Sequence, residues 1–282
     1  MIVVHHSDGA TNKAFDFTYG TAKITIILLP AMGTRAILYK KFADSLKTAG
    51  FNVIAMDWRG SGHSSVRPGG KVNFGYERLI FDVKDLVEQA ELHYPSTTKI
   101  IIGHSLGGQI AALFASRFSR LVSSIILITS CNVYYKGWRG KEQLKVFLAG
   151  CTFYRLANLY GYFPGHKIGF AGNEARMVMK DWCSNALTGK YNLSESAFNY
   201  DEALHNLSIP VLALSVKEDK MATYTSVINL VNKFPTAPLE HMHLDEITLN
   251  VSPLNHFNWL KKPHALAKLI SEWLSSSLPK SI

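Results

Sequence analysis

Lys99-Ile100-Ile101-Ile102-Gly103-His104-Ser105-Leu106-Gly107-Gly108-Gln109-Ile110-Ala111-Ala112-Leu113 is the stretch on which the fold turns. An apolar run leads into Gly103-His104-Ser105-Leu106-Gly107 and a helix-like segment from Gly108 to Phe118 leads out of it. That is the strand-turn-helix setting a G-x-S-x-G nucleophile elbow needs. The spelling has a steric reason. A nucleophile on so tight a turn has a strained backbone, and side chains two residues to either side would meet the neighbouring strand and helix; glycine at 103 and 107 removes them. The Ser105 hydroxyl is then expected at the carboxyl end of the strand, with the N-terminus of the next helix beneath it to favour developing negative charge. A bare five-residue match arises by chance in roughly one chain in ten of this length. The flanking context therefore carries the weight, and Ser105 reads as an acyl-transfer nucleophile.

Outward from the elbow, short apolar runs alternate with amphipathic segments. Ile24 to Leu29, Asn52 to Met56, Lys99 to Ile102, Ser124 to Ile128, Val211 to Val216 and the weaker Leu239 to Leu244 predict strands. Ile37 to Ala49, stopped by Gly50, predicts a helix, as do Glu77 to His93, Gly108 to Phe118, Tyr224 to Lys233 and Pro263 to Leu274. Such alternation implies an α/β fold with a doubly wound, mainly parallel sheet and right-handed crossovers. Ile2 to His5 and Ala14 to Thr18, around Ser7-Asp8-Gly9, predict an antiparallel edge hairpin. The alternation breaks between about Asn132 and Asn199, where no strand-like run occurs and large aromatics crowd helical patterns. The expected organisation is a core of residues 1–131 and 200–282 with a helical lid insertion at 132–199, over the carboxyl edge of the sheet. Most of its aromatics should form the core of the lid itself; Trp138 and Phe170 are candidates for contact with substrate.

At 282 residues and 47% hydrophobic, the chain suits one large domain with an insertion. It has no fixed-period repeat and no long Pro/Gly/Ser-rich linker. The start, Met1-Ile2-Val3-Val4-His5-His6, lacks the basic and apolar segments of a signal peptide, and no apolar stretch approaches membrane-spanning length, so a cytoplasmic protein without stable membrane insertion is expected. Three cysteines, Cys131, Cys151 and Cys183, lack C-x-x-C spacing and suggest neither a disulfide framework nor zinc. The net charge of +9 is dispersed rather than gathered in a tail or run. Weak attraction to anionic interfaces fits it; nucleic-acid binding is not expected, since no recognition motif accompanies the charge. Gly60-Ser61-Gly62 follows a strand but has Ser65 where a dinucleotide fingerprint needs its third glycine, and no Walker-type phosphate loop exists. No metal or organic cofactor is implied, and the oligomeric state is not legible.

Elbow, alternation and insertion together resemble the α/β-hydrolase fold, and the resemblance spans essentially the whole chain. More narrowly, Leu29-Pro30-Ala31-Met32-Gly33, Asp57-Trp58-Arg59-Gly60-Ser61-Gly62-His63-Ser64-Ser65, Gly103 to Gln109, Ile168-Gly169-Phe170-Ala171-Gly172 and Asp181-Trp182 resemble the serine-aminopeptidase and monoacylglycerol-lipase-like branch. The resemblance implies a chain order of nucleophile, acid, histidine. Pro210 to Asp219 is similar to the family segment in which an aspartate stands three residues beyond a strand-ending glycine; Val216 takes the glycine position and Asp219 matches the aspartate, with Glu218 the neighbouring alternative. His256 lies in Asn255-His256-Phe257, where the family usually has Gly-His-Phe, and is the expected base. His104 is expected to be structural. His241 and His243 share one strand face and could pair on a metal, although an exposed edge pair is the plainer expectation. His5, His6, His63, His93, His166, His205 and His264 show no constellation. For the oxyanion, the resemblance implies backbone N–H groups of Leu106 and of the loop after Ile24 to Leu29, where Pro30-Ala31-Met32 replaces the usual His-Gly-x; Met32 is the expected donor.

Ser105, His256 and Asp219 together lead to the expectation of a cofactor-free serine hydrolase cleaving a small-molecule carboxylic ester, with a medium-chain acyl group or a monoacylglycerol-like substrate. A serine peptidase or amidase is the alternative within enzymes, with Glu142, Glu174, Asp181 or Glu195 anchoring a substrate amine. A non-catalytic binding protein on the same scaffold is the alternative outside them.

Overall fold

The computed structural model describes residues 1–278. In chain order the elements are β1 (Ile2–His5), β2 (Thr11–Phe17), β3 (Ile24–Leu29), α1 (Lys40–Thr48), β4 (Asn52–Met56), α2 (Tyr76–His93), β5 (Thr98–His104), α3 (Leu106–Phe118) and β6 (Ser124–Ile128). Then follow α4 (Gly140–Tyr160), β7 (Phe163–Pro164), α5 (Gly165–Ile168), β8 (Asn173–Glu174), α6 (Arg176–Thr188), α7 (Tyr200–His205), β9 (Val211–Val216), α8 (Tyr224–Val231), β10 (Leu239–Leu244), α9 (Glu246–Leu249) and α10 (His264–Ser277). Eight strands make one sheet in the order β1-β2-β4-β3-β5-β6-β9-β10. The first hairpin is antiparallel and joins β4 antiparallel; every later pairing is parallel.

The continuous apolar runs of β3 to β6 and β9 are buried on both faces, as a parallel sheet covered by helices demands. One face packs on α2, α3 and the helices between β6 and β9; the other packs on α1 and α10. β10 lies at the edge opposite β1 and, among the described residues, pairs with β9 alone, which explains its weaker and more polar sequence.

Three expectations need correction. Ile37 to Ala49 is not one helix: Ala36–Tyr39 form a 3₁₀ turn before α1, because the Asp57 carboxylate draws in the Ala36 N–H (2.7 Å) and the Tyr39 side chain turns inward. The elbow helix starts at Leu106, not Gly108, and β5 runs to His104, so Ser105 alone makes the corner. Within 132–199 a two-residue antiparallel pair, β7 with β8, does exist; runs so short carry no periodicity. No described helix is long and apolar enough to cross a membrane.

Candidate active site

Ser105 joins β5 to α3 with φ 55° and ψ −116°, a conformation rarely adopted by non-glycine residues. Its N–H donates to Ile128 on β6 (3.0 Å), and its carbonyl accepts from Gly108 (3.0 Å) and Gln109 (3.2 Å). Glycine is forced around it. A Cβ at Gly103 would lie 2.3 Å from the Gly107 carbonyl carbon, and one at Gly107 would lie 2.2 Å from the Leu29 carbonyl oxygen. Gly108 is constrained as well, by a side chain rather than by backbone: its Cβ would fall 1.8 Å from Ser130 Oγ. The doubled glycine was the available signal.

Asp219 and His256 meet. His256 Nδ1 lies 2.7 Å from Asp219 Oδ2, while Asp219 Oδ1 accepts from the backbone N–H groups of Met221 (2.8 Å) and Ala222 (2.9 Å). A carboxylate only accepts, so Nδ1 carries the imidazole proton and Nε2 is left as the basic nitrogen. Nε2 is buried and has no hydrogen-bond partner among the described residues. Glu218, one residue earlier, is exposed.

Ser105 and His256 line one cavity of about 440 Å³ together with Met32 and Leu106. Leu106 opens α3, so its N–H is among those a helix start leaves unpaired. In the loop after β3, the Ala31 N–H is taken by Tyr39 Oη (2.9 Å) and Trp58 Nε1 donates to the Pro30 carbonyl (2.8 Å). The positive φ of that turn falls on Gly33 (67°), so Ala31 in place of the family's glycine is not strained. The cavity's apolar wall includes Trp138, Val146, Phe153, Phe170 and Trp182. Trp138 is anchored by Nε1–H donation to the Lys220 carbonyl (2.9 Å), next to Asp219. Phe170 packs on Phe153 and Trp182 (centroids 5.3 and 5.5 Å). Cys131 also lines the cavity, but burial pushes its thiol up to about 12, which keeps it protonated beside the serine.

Of the other histidines, His241 and His243 sit together on the edge strand as expected, whereas His6 and His63 do not match expectation. His241 Nε2 and His243 Nδ1 both bond Ser215 Oγ (2.8 and 2.7 Å). His6 and His63 do have constellations: His63 Nδ1 lies 3.1 Å from Asp57, and His6 Nδ1 lies 3.0 Å from Asp85 and 3.3 Å from Asp82. The His6 partners lie more than 70 residues along the chain and left no spacing signal, whereas His63 follows Asp57 by only six residues. His6, Asp82 and Asp85 could together offer metal ligands, yet Arg59 Nε (2.7 Å) and Arg78 Nε (2.9 Å) already hold the Asp82 oxygens. Positive charge is thus supplied there by guanidinium groups.

Against known proteins, residues 24–149 match the family model of the alpha/beta hydrolase fold. The provisionally named carbamate hydrolase RutD of Agrobacterium fabrum is 24% identical over 83% of this chain and 90% of its own. A monoacylglycerol lipase of Mycolicibacterium smegmatis is 29% identical over 36% of each chain. Among solved structures, the Pyrococcus furiosus esterase Pf2001 superposes with a TM-score of 0.64 at 16% identity, covering 98% of this chain and 91% of the esterase.

Proposed function

We propose, from the premise that this chain is an α/β hydrolase, that it is a serine hydrolase cleaving a carboxylic ester with an apolar acyl group of medium length. One observation carries this: a buried, unpartnered imidazole nitrogen backed by a carboxylate shares its cavity with a serine held at positive φ. Ser105 Oγ attacks the ester carbonyl as its proton passes to His256 Nε2, and Asp219 orients and stabilises the imidazolium. The Leu106 and Met32 N–H groups hold the oxyanion. The alkoxide leaves with the proton from His256, and a water deprotonated by the same nitrogen attacks the acyl-enzyme and releases the acid.

Residues 132–199 act as the lid that supplies the acyl wall, on a core of 1–131 and 200–282. A cavity of about 440 Å³ lies within the range of small-molecule pockets, about 300–1,000 Å³. An ester is favoured over a peptide amine because Glu174, Asp181 and Glu195 do not line the cavity and are bonded elsewhere, while Glu142 shares the cavity wall with the cationic Lys145. Glu142, which lines the cavity, pairs with Lys145 (2.7 Å); Asp181 accepts from Tyr76 and Ser194, Glu195 from Gly75 and Glu174 from Gly172.

A fluorophosphonate should label the protein once, at Ser105. Ser105→Ala should abolish labelling and lower nitrophenyl-ester turnover by at least roughly 10⁴-fold, with an unchanged thermal midpoint. Equal labelling of the variant rules the assignment out.

A further inference from the structure

His104 precedes Ser105 in the chain and is fully buried, yet both its ring nitrogens are bonded. Nδ1 lies 2.6 Å from Tyr39 Oη, and Nε2 lies 3.0 Å from the backbone carbonyl of His256. Tyr39 Oη also accepts the Ala31 N–H (2.9 Å), and Trp259 Nε1–H gives the His256 carbonyl a second donor (2.9 Å). The directions of donation follow from what each end can do. The His256 carbonyl only accepts, so Nε2 of His104 is protonated; the Ala31 amide only donates, so the phenol's own proton goes to Nδ1. One unbroken line therefore runs from Ala31 N–H through Tyr39 and neutral His104 to the His256 carbonyl. Burial and the nearby His256 hold His104 well below the ordinary histidine range, in keeping with the neutral ring that this line requires.

The two ends of the line matter more than its middle. Ala31 adjoins Met32 in the oxyanion loop, and the other end is the backbone of the base itself, 152 residues away from His104. We propose that Tyr39 and His104 are positioning residues: a buried clamp that fixes the oxyanion loop and the His256 loop relative to one another and to Ser105. The proposal rests on the serine-hydrolase reading above. An apolar pair could fill this space without burying three hydrogen-bonding groups, but it could not register two loops to a few tenths of an ångström. Catalysis feels such registration, since a displacement of about 1 Å in the reacting groups can cost about 10²-fold.

Four variants and the wild type test it: Tyr39→Phe, His104→Leu, His104→Gln and the double Tyr39→Phe/His104→Leu. Tyr39→Phe should lower kcat about tenfold and His104→Leu between about ten- and a hundredfold, with KM within about twofold of wild type. Because the two residues act in series, the double variant should be no slower than His104→Leu alone. His104→Gln, whose amide can accept from Tyr39 and donate to His256, should recover most of the loss; it and Tyr39→Phe carry the test if the leucine variant fails to fold. Hydrogen exchange supplies an arm independent of activity: Tyr39→Phe should speed exchange at residues 31–34 and also at 254–257. The clamp is overturned by kcat within twofold of wild type in Tyr39→Phe, by a loss in His104→Gln as large as that in His104→Leu, by additive losses, or by exchange that changes only in the loop the altered residue touches. Wild type that hydrolyses no ester and takes no fluorophosphonate would overturn the serine-hydrolase reading instead, and the exchange arm would still decide the clamp.

Discussion

Asp219 and Glu218 adjoin in the chain and differ in everything else. Asp219 is buried, with one oxygen fixed by two backbone N–H groups and the other on His256, whereas Glu218 faces solvent. Asp219→Asn keeps the shape but replaces one of the two accepting oxygens by an NH2 donor and removes the charge, so it should lower kcat by about 10⁴-fold; Glu218→Gln should stay within about twofold. Steady-state kinetics on one nitrophenyl ester decides, and reversed effects would exchange the roles. Ser105 was legible because its glycines report a steric requirement within five residues. His256 and Asp219 could be placed only by family resemblance and chain order, since 37 residues separate them and no local spacing expresses their contact. The Tyr39–His104 pair was not legible at all: its partners lie 65 and 152 residues apart along the chain, and a histidine on an apolar strand reads as core.

Strands with continuous apolar runs were readable almost to the residue, because burial on both faces leaves no alternative composition. Less readable was the segment between β6 and β9, where side chains from separate helices meet. Trp138 and Phe170 both line the cavity but are held differently. Phe170→Ala trims only the apolar wall, so octanoyl-ester turnover should fall several-fold more than acetyl-ester turnover, each bound methylene contributing about 0.8 kcal/mol. Trp138→Ala also frees the Lys220 carbonyl beside Asp219, so it should slow both esters. Equal proportional losses in Phe170→Ala would assign that ring to packing alone. Glu174 on β8 offers a pH test of the same segment. Desolvation pushes its carboxyl up to about 7, outweighing the N–H bond from Gly172. Since this lies above the value of 4.5 for the free side chain, the group's contribution to stability is complete below about pH 4.5 and is lost as pH rises through about 7. Glu174→Gln keeps the acceptor without the charge, so its thermal midpoint should exceed that of wild type by roughly 2–5 °C at pH 8.5 and converge on it at pH 4.5. A difference that does not vary with pH would mean the carboxyl titrates normally.

Across the molecule, the antiparallel edge is fastened to the parallel core by buried charge as well as by strand pairing. Asp82 on α2 takes Arg59 from the loop after β4 and Arg78 from its own helix, and His6 at the end of β1 closes on Asp82 and Asp85. Arg59 also reaches Asp8 in the hairpin turn (2.9 Å). Three segments distant in sequence thus share one carboxylate with no exposure to solvent. Breaking a buried pair from one side leaves uncompensated charge and costs about 3–5 kcal/mol, whereas an exposed pair contributes about 0–1 kcal/mol. Asp82→Asn should therefore lower the thermal midpoint by roughly 10 °C, at about 2–4 °C per kcal/mol for a chain of this size. Asp44→Asn, which breaks the exposed Lys40–Asp44 pair on α1, should shift it by less than about 2 °C. None of Asp8, Arg59, Arg78, Asp82 or Asp85 lines the cavity that holds Ser105 and His256, so ester turnover at 25 °C should stay within about twofold of wild type in both variants. Scanning calorimetry at pH 7 separates the outcomes: equal small shifts would mean that Arg59 and Arg78 find solvent or Asp8 and Asp85 instead, and that strand pairing alone holds the edge.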